Sequence, residues 1–588
     1  MNNMDRRQFM RLGSCTLAAS CVVMHASADA FSLFSNQSVP TKPSQDGIDL
    51  MAAAEMFPHS IASGDPCDSG VVLWTRINPN RYLAGETMMV EVYRDPSRED
   101  LVLSLSVDAA EFSPARDCTL KLDLEGQLLA GQTYYYRFIY RGVSSRVGRC
   151  RTSEPKGSDQ DQLKLAVLTC QDYTNGYYGA LNQVAEDDSI DFVVHLGDFI
   201  YESVGDPRFQ ELPFEDRLIQ LPSGAAVAMD LEDYRHLYKT YRSDLNLQRA
   251  MELHTWIIST DDHETANDAY WDYDRDTLGV PDHPLTTDPA LGNDPQKLRQ
   301  LKLDSQRAWV EFTPTRVYVD DSATHPHDYS RIYREFYFGD LLSLYMTDSR
   351  TYRSPHPCGE GVALERYVPI GCSNMDNPDR TLLGLEQKQW LIDGLTRKDT
   401  QWKVMGNQTY MGRMAATLLG KPLALINVDA WDGYQAERQE LVEAVKSAEV
   451  DNFVVLTGDL HTYISSYIKL DYGKSFNWRS SNLVGVEFMT PSVTSAGLVE
   501  GLGNLLNREL KREDIADALS EAAVLINNPH MKLFNSLDHG YSTIEFNRDF
   551  CEWTAFVVDK DQADANAKRT LARHRKYSVM PWIFRQSV

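Results

Sequence analysis

The sequence predicts an α/β chain: a layered β-sandwich flanked by helices, preceded by a small all-β domain of the fibronectin III or immunoglobulin kind. Three observations predict it. From residue 56 to 155, short β-prone runs such as Val71-Val72-Leu73-Trp74 and Tyr134-Tyr135-Tyr136-Arg137-Phe138 follow one another with turn residues between them. That rhythm belongs to a sandwich. Beyond residue 160, short apolar runs alternate with amphipathic stretches, which places helices on the faces of sheets. The 588 residues also exceed one ordinary core, so two or more domains are expected.

In chain order, residues 1–30 read as a secretory signal. Arg6, Arg7 and Arg11 make a basic start, Gly13 to Met24 a short apolar core, and Ala26-Ser27-Ala28 and Ala28-Asp29-Ala30 two small-x-small cleavage candidates. Asp5-Arg6-Arg7-Gln8-Phe9-Met10 resembles a twin-arginine export signal. It implies the twin-arginine export machinery as a partner, a periplasmic or secreted location, and a cofactor inserted before export. Cys15 and Cys21 leave lipoprotein attachment as the minor alternative.

Residues 31–55, rich in Ser, Pro and Gln, read as a linker, and Glu154-Pro155-Lys156-Gly157-Ser158 as a domain boundary. Residues 160–588 form the layered domain. Its best helix candidates are Gly179–Glu186, Leu385–Arg397 and Ala436–Ser447. Two polar loops, about 204–230 and 272–298, interrupt it. Asp272-Tyr273-Asp274-Arg275-Asp276 looks like a calcium loop, but Thr277 stands where the Gly is needed and His283 where the bidentate Glu belongs. A solvated acidic loop is the reading kept.

With 58 basic and 84 acidic residues the net charge is −26. Such a surface repels phosphate backbones and anionic membranes, so no nucleic-acid recognition surface is expected. After residue 30 no apolar run approaches the roughly 18 residues of a membrane span. Seven cysteines remain beyond the signal, at 67, 118, 150, 170, 358, 372 and 551, none in a CxxC pattern. Cys358 and Cys372 share a loop and could pair in an oxidising compartment; sequence alone does not fix the connectivity.

The informative feature is where the apolar runs stop. Leu163–Leu168 ends at Thr169-Cys170-Gln171-Asp172, Phe192–Leu196 at Gly197-Asp198-Phe199-Ile200-Tyr201-Glu202, and Trp256–Ser259 at Thr260-Asp261-Asp262-His263-Glu264. Trp402–Met405 ends at Gly406-Asn407-Gln408, and Phe453–Leu456 at Thr457-Gly458-Asp459-Leu460-His461. Ligands of open α/β sheets bind just beyond the carboxyl ends of strands. Acids in this number share a pocket only with cations, because repulsion and desolvation would otherwise keep them protonated. Each end alone has an ordinary explanation: a Gly-Asp turn, a core cysteine, a helix cap. Their joint occurrence carries the argument.

These stretches resemble the metallophosphoesterases, and more closely the PhoD-like alkaline phosphatase and phosphodiesterase family. Phe57-Pro58-His59-Ser60-Ile61-Ala62-Ser63-Gly64-Asp65-Pro66 and Val72-Leu73-Trp74-Thr75-Arg76 resemble the start of its N-terminal β-domain. Gly197–Glu202, Asp261–Glu264, Trp431-Asp432-Gly433-Tyr434 and Gly458–His461 resemble its hallmark motifs. The acidic insertion after Trp271 and Gly406-Asn407-Gln408 depart from the pattern.

The resemblance implies a metallophosphoesterase-type sandwich and a secreted hydrolase of phosphate mono- or diesters, with a binuclear centre and a metal-activated water. Cys170, Asp198, Tyr201 and His461 would hold one metal. Asp198 would bridge to a second site completed by Asp262, Asp459, Asn407 and the nearby Asn267. His263 would be the general acid. Thiolate, phenolate and carboxylate on one ion suit Fe(III), and an oxygen-rich second site suits Ca(II), the pair the family uses. Arg350 and Arg353 are offered as phosphate forks, with a structural ion pair as the equal alternative. Trp431–Tyr434 either lines the cleft or anchors a loop, and Asn535 with His539-Gly540-Tyr541 reads as a turn and a final strand. The aromatic segment Tyr577–Phe584 is expected to fold over the metal edge as a lid. The alternatives are a phosphodiesterase for cell-envelope polymers or phospholipids, and a secreted binding protein on a catalytically dead fold.

Overall fold

In the computed structural model of the protein, the described residues are 41–588 except 207–209, 211–213, 370, 419–420, 475–480, 499, 501–520 and 566. The signal at 1–30 and most of the stretch read as linker lie outside them. Lys42–Val588 form one compact unit.

The linker's end is not extended. Leu-Met-Ala-Ala-Ala-Glu-Met (α1, Leu50–Met56) is rich in strong helix formers, and the Asp49 carboxylate accepts from the N–H groups of Met51 and Ala52 to start it. Eight strands follow: β1 (Ile61–Cys67), β2 (Gly70–Arg76), β3 (Met88–Tyr93), β4 (Leu101–Val107), β5 (Thr119–Asp123), β6 (Thr133–Tyr140), β7 (Val143–Ser144) and β8 (Gly148–Arg151). β3, β4, β6, β7 and β8 form a five-stranded sheet. It packs Val90, Val92, Tyr136 and Phe138 against Ile61, Val71 and Leu73. The other three strands belong to a much larger sheet. β1 runs parallel to β11 (Thr255–Ile258), pairing Ser63 with Thr255 and Gly64 with Trp256.

That larger sheet has ten strands. Its parallel centre is β9 (Gln162–Leu168), β10 (Phe192–His195), β11 and β1, with β2 and β5 beyond. On the other side the edge is built antiparallel from β23 (Gly540–Asn547), β24 (Phe550–Val557), β25 (Arg569–Tyr577) and β26 (Ile583–Arg585). A seven-stranded sheet faces it, in the order β14 (Arg334–Phe338), β15 (Leu342–Met346), β16 (Trp402–Gly406), β19 (Phe453–Thr457), β21 (Leu483–Met489), β20 (Tyr463–Lys469), β22 (Met531–Asn535). Two hairpins complete the set: β12 (Tyr270–Asp272) with β13 (Thr277–Gly279), and β17 (Ala415–Leu418) with β18 (Lys421–Leu425).

Period-two alternation explains the layering. In β9, Leu163, Leu165 and Val167 point to the seven-stranded sheet, where they meet Leu344, Val404, Val454 and Leu456. Ala166 and Leu168 point the other way. There they meet α2 (Gly179–Glu186), α3 (Leu231–Tyr241), α4 (Leu245–Leu253) and α5 (Pro295–Phe312), through Leu181, Leu237, Ala250 and Trp309. The outer face of the second sheet buries Tyr345, Met405 and Val455 under α6 (Leu385–Thr396) and α7 (Gln435–Ser447). The result is helix, sheet, sheet, helix.

The aromatic C-terminus continues the large sheet. Tyr577 pairs with Phe550, and Ile583 with Lys576, at the end of the sheet away from Val167 and Leu168. It is therefore not a cover over the strand ends that carry Cys170 and Asp198. Alternating basic residues in Arg-Thr-Leu-Ala-Arg-His-Arg-Lys-Tyr hide this strand from a search for apolar runs. Cys358 and Cys372 form a disulfide, while Cys67, Cys118, Cys150, Cys170 and Cys551 are free thiols.

Candidate metal centre

The five strand ends read from the sequence meet at one rim. β9 leads into Cys170, β10 into Asp198, β11 into Asp261 and Asp262, β16 into Asn407, and β19 into Asp459 and His461. Backbone contacts stitch the rim: Cys170 N–H donates to Gly197 O (3.1 Å), and Asn407 N–H to Leu456 O (2.9 Å). The Ser259 hydroxyl joins the two sheets by donating to Thr347 O (2.9 Å).

Four of these residues adopt the left-handed conformation that L side chains avoid: Cys170 (φ 55°), Asp198 (φ 56°), Asp459 (φ 64°) and His461 (φ 53°). Each such residue costs on the order of 1 kcal/mol or more, and such strain clusters where function demands an orientation. Gly197 (φ 127°) has no room for a side chain, because a Cβ there would lie 2.5 Å from Asp261 N.

Glu264 holds the turn. Its buried carboxylate accepts from the N–H groups of Asp198 (3.0 Å), Phe199 (2.7 Å) and Asp261 (2.7 Å), fastening the ends of β10 and β11 together. Burial lifts its pKa to about 7 against those hydrogen bonds.

Three groups of ligand atoms lie within 4.8 Å of one another: Cys170, Asp198 and His461; Asp198, Asp262 and His263; and Asp261, Asp262 and Asp459. Asp198 belongs to two of them. The Tyr201 hydroxyl donates to Asp198 Oδ2 (3.1 Å) and lies 3.2 Å from His461 Nε2. His461 Nδ1 lies 2.6 Å from the Ala496 carbonyl, a contact that puts the ring proton on Nδ1 and leaves the Nε2 lone pair facing the cluster. Burial holds this imidazole at about 4, hence neutral.

The other candidates are placed differently. Asn407 gives its amide N–H to Thr409 O, leaving Oδ1 as the acceptor, 3.4 Å from the Thr347 hydroxyl. Asn267 gives its amide to Asp282 Oδ2 (3.0 Å). His263 Nδ1 is 2.7 Å from Glu202 Oε2, and its ring lies 4.0 Å from that of Tyr201. Burial opposes its protonation, but Glu202, Asp262 and Asp198 together hold its pKa well above the usual imidazole value. Arg350 is buried with Nε on Asp261, Nη1 on Asp429 (2.6 Å) and Nη2 on Asp459 (2.8 Å). Arg353 bonds the Asp429 carboxylate (2.8 Å) and the Tyr434 hydroxyl (3.2 Å). Tyr434 in turn donates to Ser354 O (2.6 Å), and Asp432 accepts from Met414 N–H (2.8 Å) and Arg438 (2.7 Å), so Trp431–Tyr434 anchors loops. Asn535 caps a turn by accepting from the N–H groups of Leu537 and Asp538.

Glu202, Asp261 and Glu264 lie in the segments just past β10 and β11, where sequence alone gives them no role. Asp429 had no sequence signal, because it reaches Arg350 across a separation of 79 residues.

The donor set fits metal ions. Burial, then neighbouring carboxylates, push Cys170, Tyr201, Asp198 and Asp459 well above their ordinary pKa values. Asp261 Oδ2 is buried with no hydrogen-bond partner among the described residues. Burial of so much potential negative charge is relieved by cations.

Thiol, phenol, imidazole and carboxylates gathered at one sheet rim define a metal-binding site of hydrolytic type. The PhoD-like phosphatase family matches residues 165–555, and the N-terminal domain of PhoD-like phosphatases matches residues 43–154. Alkaline phosphatase D of Bacillus subtilis (strain 168) is 30% identical over 482 residues, covering 82% of this chain and 74% of that protein. The solved structure of PhoD superposes with a TM-score of 0.74 at 27% identity, covering 91% of this chain and 92% of that one. The chain belongs to the PhoD-like phosphatase family, and it is a phosphoric ester hydrolase.

Proposed function

We propose that the protein is exported by the twin-arginine route to the periplasm or beyond, and there hydrolyses phosphate mono- or diesters at a binuclear centre of Fe(III) and Ca(II). Cys170, Asp198, Tyr201 and His461 would hold the iron. Asp198, Asp262 and Asp459, with Asn407 and Asn267, would hold the calcium. Both amides donate through nitrogen, Asn407 to Thr409 O and Asn267 to Asp282 Oδ2, so each would offer its Oδ1 as the ligand atom. The observation that carries the reading is the convergence of the Tyr201 phenol on Asp198 and His461, the same two residues that Cys170 reaches. When bound, such ions would neutralise phosphoryl charge and raise the acidity of water at the rim.

The chain's own residues do the rest. Glu202 holds His263 by Nδ1, so Nε2 is the atom that presents a proton to the departing ester oxygen. Glu264 fixes the turn that aims Asp198. Arg350 is the internal countercharge of Asp261, Asp429 and Asp459, and a role on phosphate would draw on the N–H groups left on its Nη atoms. Among the described residues no helix is long and apolar enough to cross a membrane.

The test is elemental analysis and a visible spectrum of natively exported protein, with turnover of p-nitrophenyl phosphate and its bis ester. Bound iron and calcium, a charge-transfer band and chelator-sensitive turnover are expected. Colourless, iron-free protein at full activity would reject the assignment.

A further inference from the structure

A sixth strand end reaches the rim without supplying a ligand. β21 runs into Thr490-Pro491-Ser492-Val493-Thr494-Ser495-Ala496-Gly497, a stretch with no His, Cys, Asp or Glu. Two consecutive residues of it nevertheless touch two ligand candidates. The Ser495 hydroxyl donates to Cys170 O (2.9 Å) and accepts from Asp172 N–H (3.1 Å). The N–H groups of Thr494 and Ser495 are directed at the same Cys170 O, each at 3.4 Å. The next carbonyl along the chain, Ala496 O, is the one 2.6 Å from His461 Nδ1.

Cys170 follows β9 of the ten-stranded sheet, and His461 follows β19 of the seven-stranded sheet. Residues 494–496 therefore bridge the two sheets where the sulfur and the imidazole come together. Backbone strain gives the reason for such a bridge. Cys170 and His461 both hold positive φ, 55° and 53°. Conformations of that kind persist only where surrounding contacts over-determine them. Of the three contacts to Cys170 O, the Ser495 hydroxyl makes the shortest.

The bridge is itself pinned. The Ser492 hydroxyl donates to Ser495 O (2.7 Å), and its oxygen lies 3.0 Å from His539 Nδ1. The Thr494 hydroxyl donates to Asp172 O (2.6 Å). Lys560 Nζ, from the connection between β24 and β25, donates to Thr494 O (3.0 Å). Thr494 and Ser495 are buried. Partners that orient the ligands of a metal tune its affinity and its spectrum even though they never touch it.

We propose that Ser495 is a positioning residue of the metal centre. By gripping Cys170 O it sets the direction of the thiol, while the adjoining Ala496 carbonyl sets the tautomer of His461. The proposal rests on the reading that Cys170 and His461 share one ion, and its test separates the two.

Natively exported wild type, Ser495→Ala, Thr494→Val and Lys560→Met are compared by visible spectrum, by iron affinity in competition with a chelator, by melting temperature and by turnover of p-nitrophenyl phosphate. Ser495→Ala should displace the charge-transfer band and weaken iron binding about 10-fold or more, with kcat lowered and KM near wild type. Thr494→Val removes a hydroxyl from the same buried segment, but not one that Cys170 uses. It should melt lower and keep the band in place, a contrast that a merely structural role would not produce. If Ser495→Ala fails to fold, Lys560→Met decides by the same band, since it frees Thr494 O from outside. A wild-type band and iron affinity in Ser495→Ala, or an equal displacement in Thr494→Val, would overturn the proposal and leave the metal assignment standing. Colourless, iron-free wild type would overturn both.

Discussion

Cys170 and Tyr201 are acids in the wrong place to ionise unaided. Burial is the largest cause holding the proton on each, and Asp198 adds to it. A highly charged cation would reverse that balance, because it stabilises thiolate and phenolate together. Cys170→Ser is therefore expected to remove the visible band and to lower kcat by at least about 10²-fold, with circular dichroism unchanged. A coloured, active variant would exclude the thiol as ligand. His263 can be separated from the ligands by chemistry. Alkyl esters need a proton on the leaving oxygen and nitrophenolate does not, so His263→Ala should cost about 10²–10³-fold in kcat on an alkyl phosphate and far less on p-nitrophenyl phosphate. Equal losses on both would remove its acid role. The sequence exposed Cys170, Asp198, Asp262, Asp459 and His461 because each stands just past an apolar run, where the strand must stop. It hid their supports: Glu264 acts through backbone N–H groups, and Asp429 comes from a loop whose spacing points nowhere.

At the scale of elements, the rim depends on two fastenings. Glu264 satisfies three backbone donors at once, so Glu264→Ala leaves them buried and open. A loss of about 3 kcal/mol is expected, with reduced metal content in the same sample, from denaturant melts and elemental analysis. Unchanged stability would mean that water replaces the carboxylate. The second fastening is the Cys358–Cys372 disulfide, with a sequence separation of 14. Within its loop Arg366 bonds Asp268 and Asp282, Tyr367 bonds Asp268 (2.6 Å), and the Asp268 N–H donates to Asp262 Oδ2 (2.6 Å). Closing a loop of this size is worth about 3 kcal/mol. The double variant Cys358→Ser/Cys372→Ser should therefore melt lower, and should bind the calcium proposed for the second site more weakly because Asp262 loses its brace. Wild-type calcium affinity in that variant would disconnect the loop from the site. Helix α2 was legible because its apolar face is clean. Helix α5 was not, because Lys302, Gln306 and Glu311 are buried among its apolar residues and blur the period.

For the whole molecule, the layered core was legible from the alternation of runs, but the joint between the first β-rich region and the rest was not. β1 pairs with β11 across about 190 residues, and no local pattern records such a partner. The same dense packing sets the molecule's response to acid. His195, His254 and His530 are buried, and burial holds each at about 3, well below the ordinary imidazole value of about 6.5. His254 Nε2 donates to Val184 O (2.9 Å) and His530 Nε2 to Arg413 O (2.8 Å), bonds that the neutral ring makes without a second proton. Between those two pKa values the unfolded chain binds more protons than the folded one. The stabilisation is therefore complete above about pH 6.5 and falls as pH drops toward 3, by about 1.4 kcal/mol per pH unit for each histidine. Three together contribute a slope near 4 kcal/mol per unit, large against a total stability of about 5–15 kcal/mol, and the carboxyls of Glu264 and Glu487, raised to about 7 by burial, oppose it between about pH 4.5 and 7. Urea midpoints measured at saturating metal should fall as pH drops below 6.5. His254→Gln, which keeps a donor for Val184 O, should remove about 1.4 kcal/mol per pH unit from that fall. A midpoint unchanged down to pH 5 would show that these rings are already solvated and that the core around them opens to water.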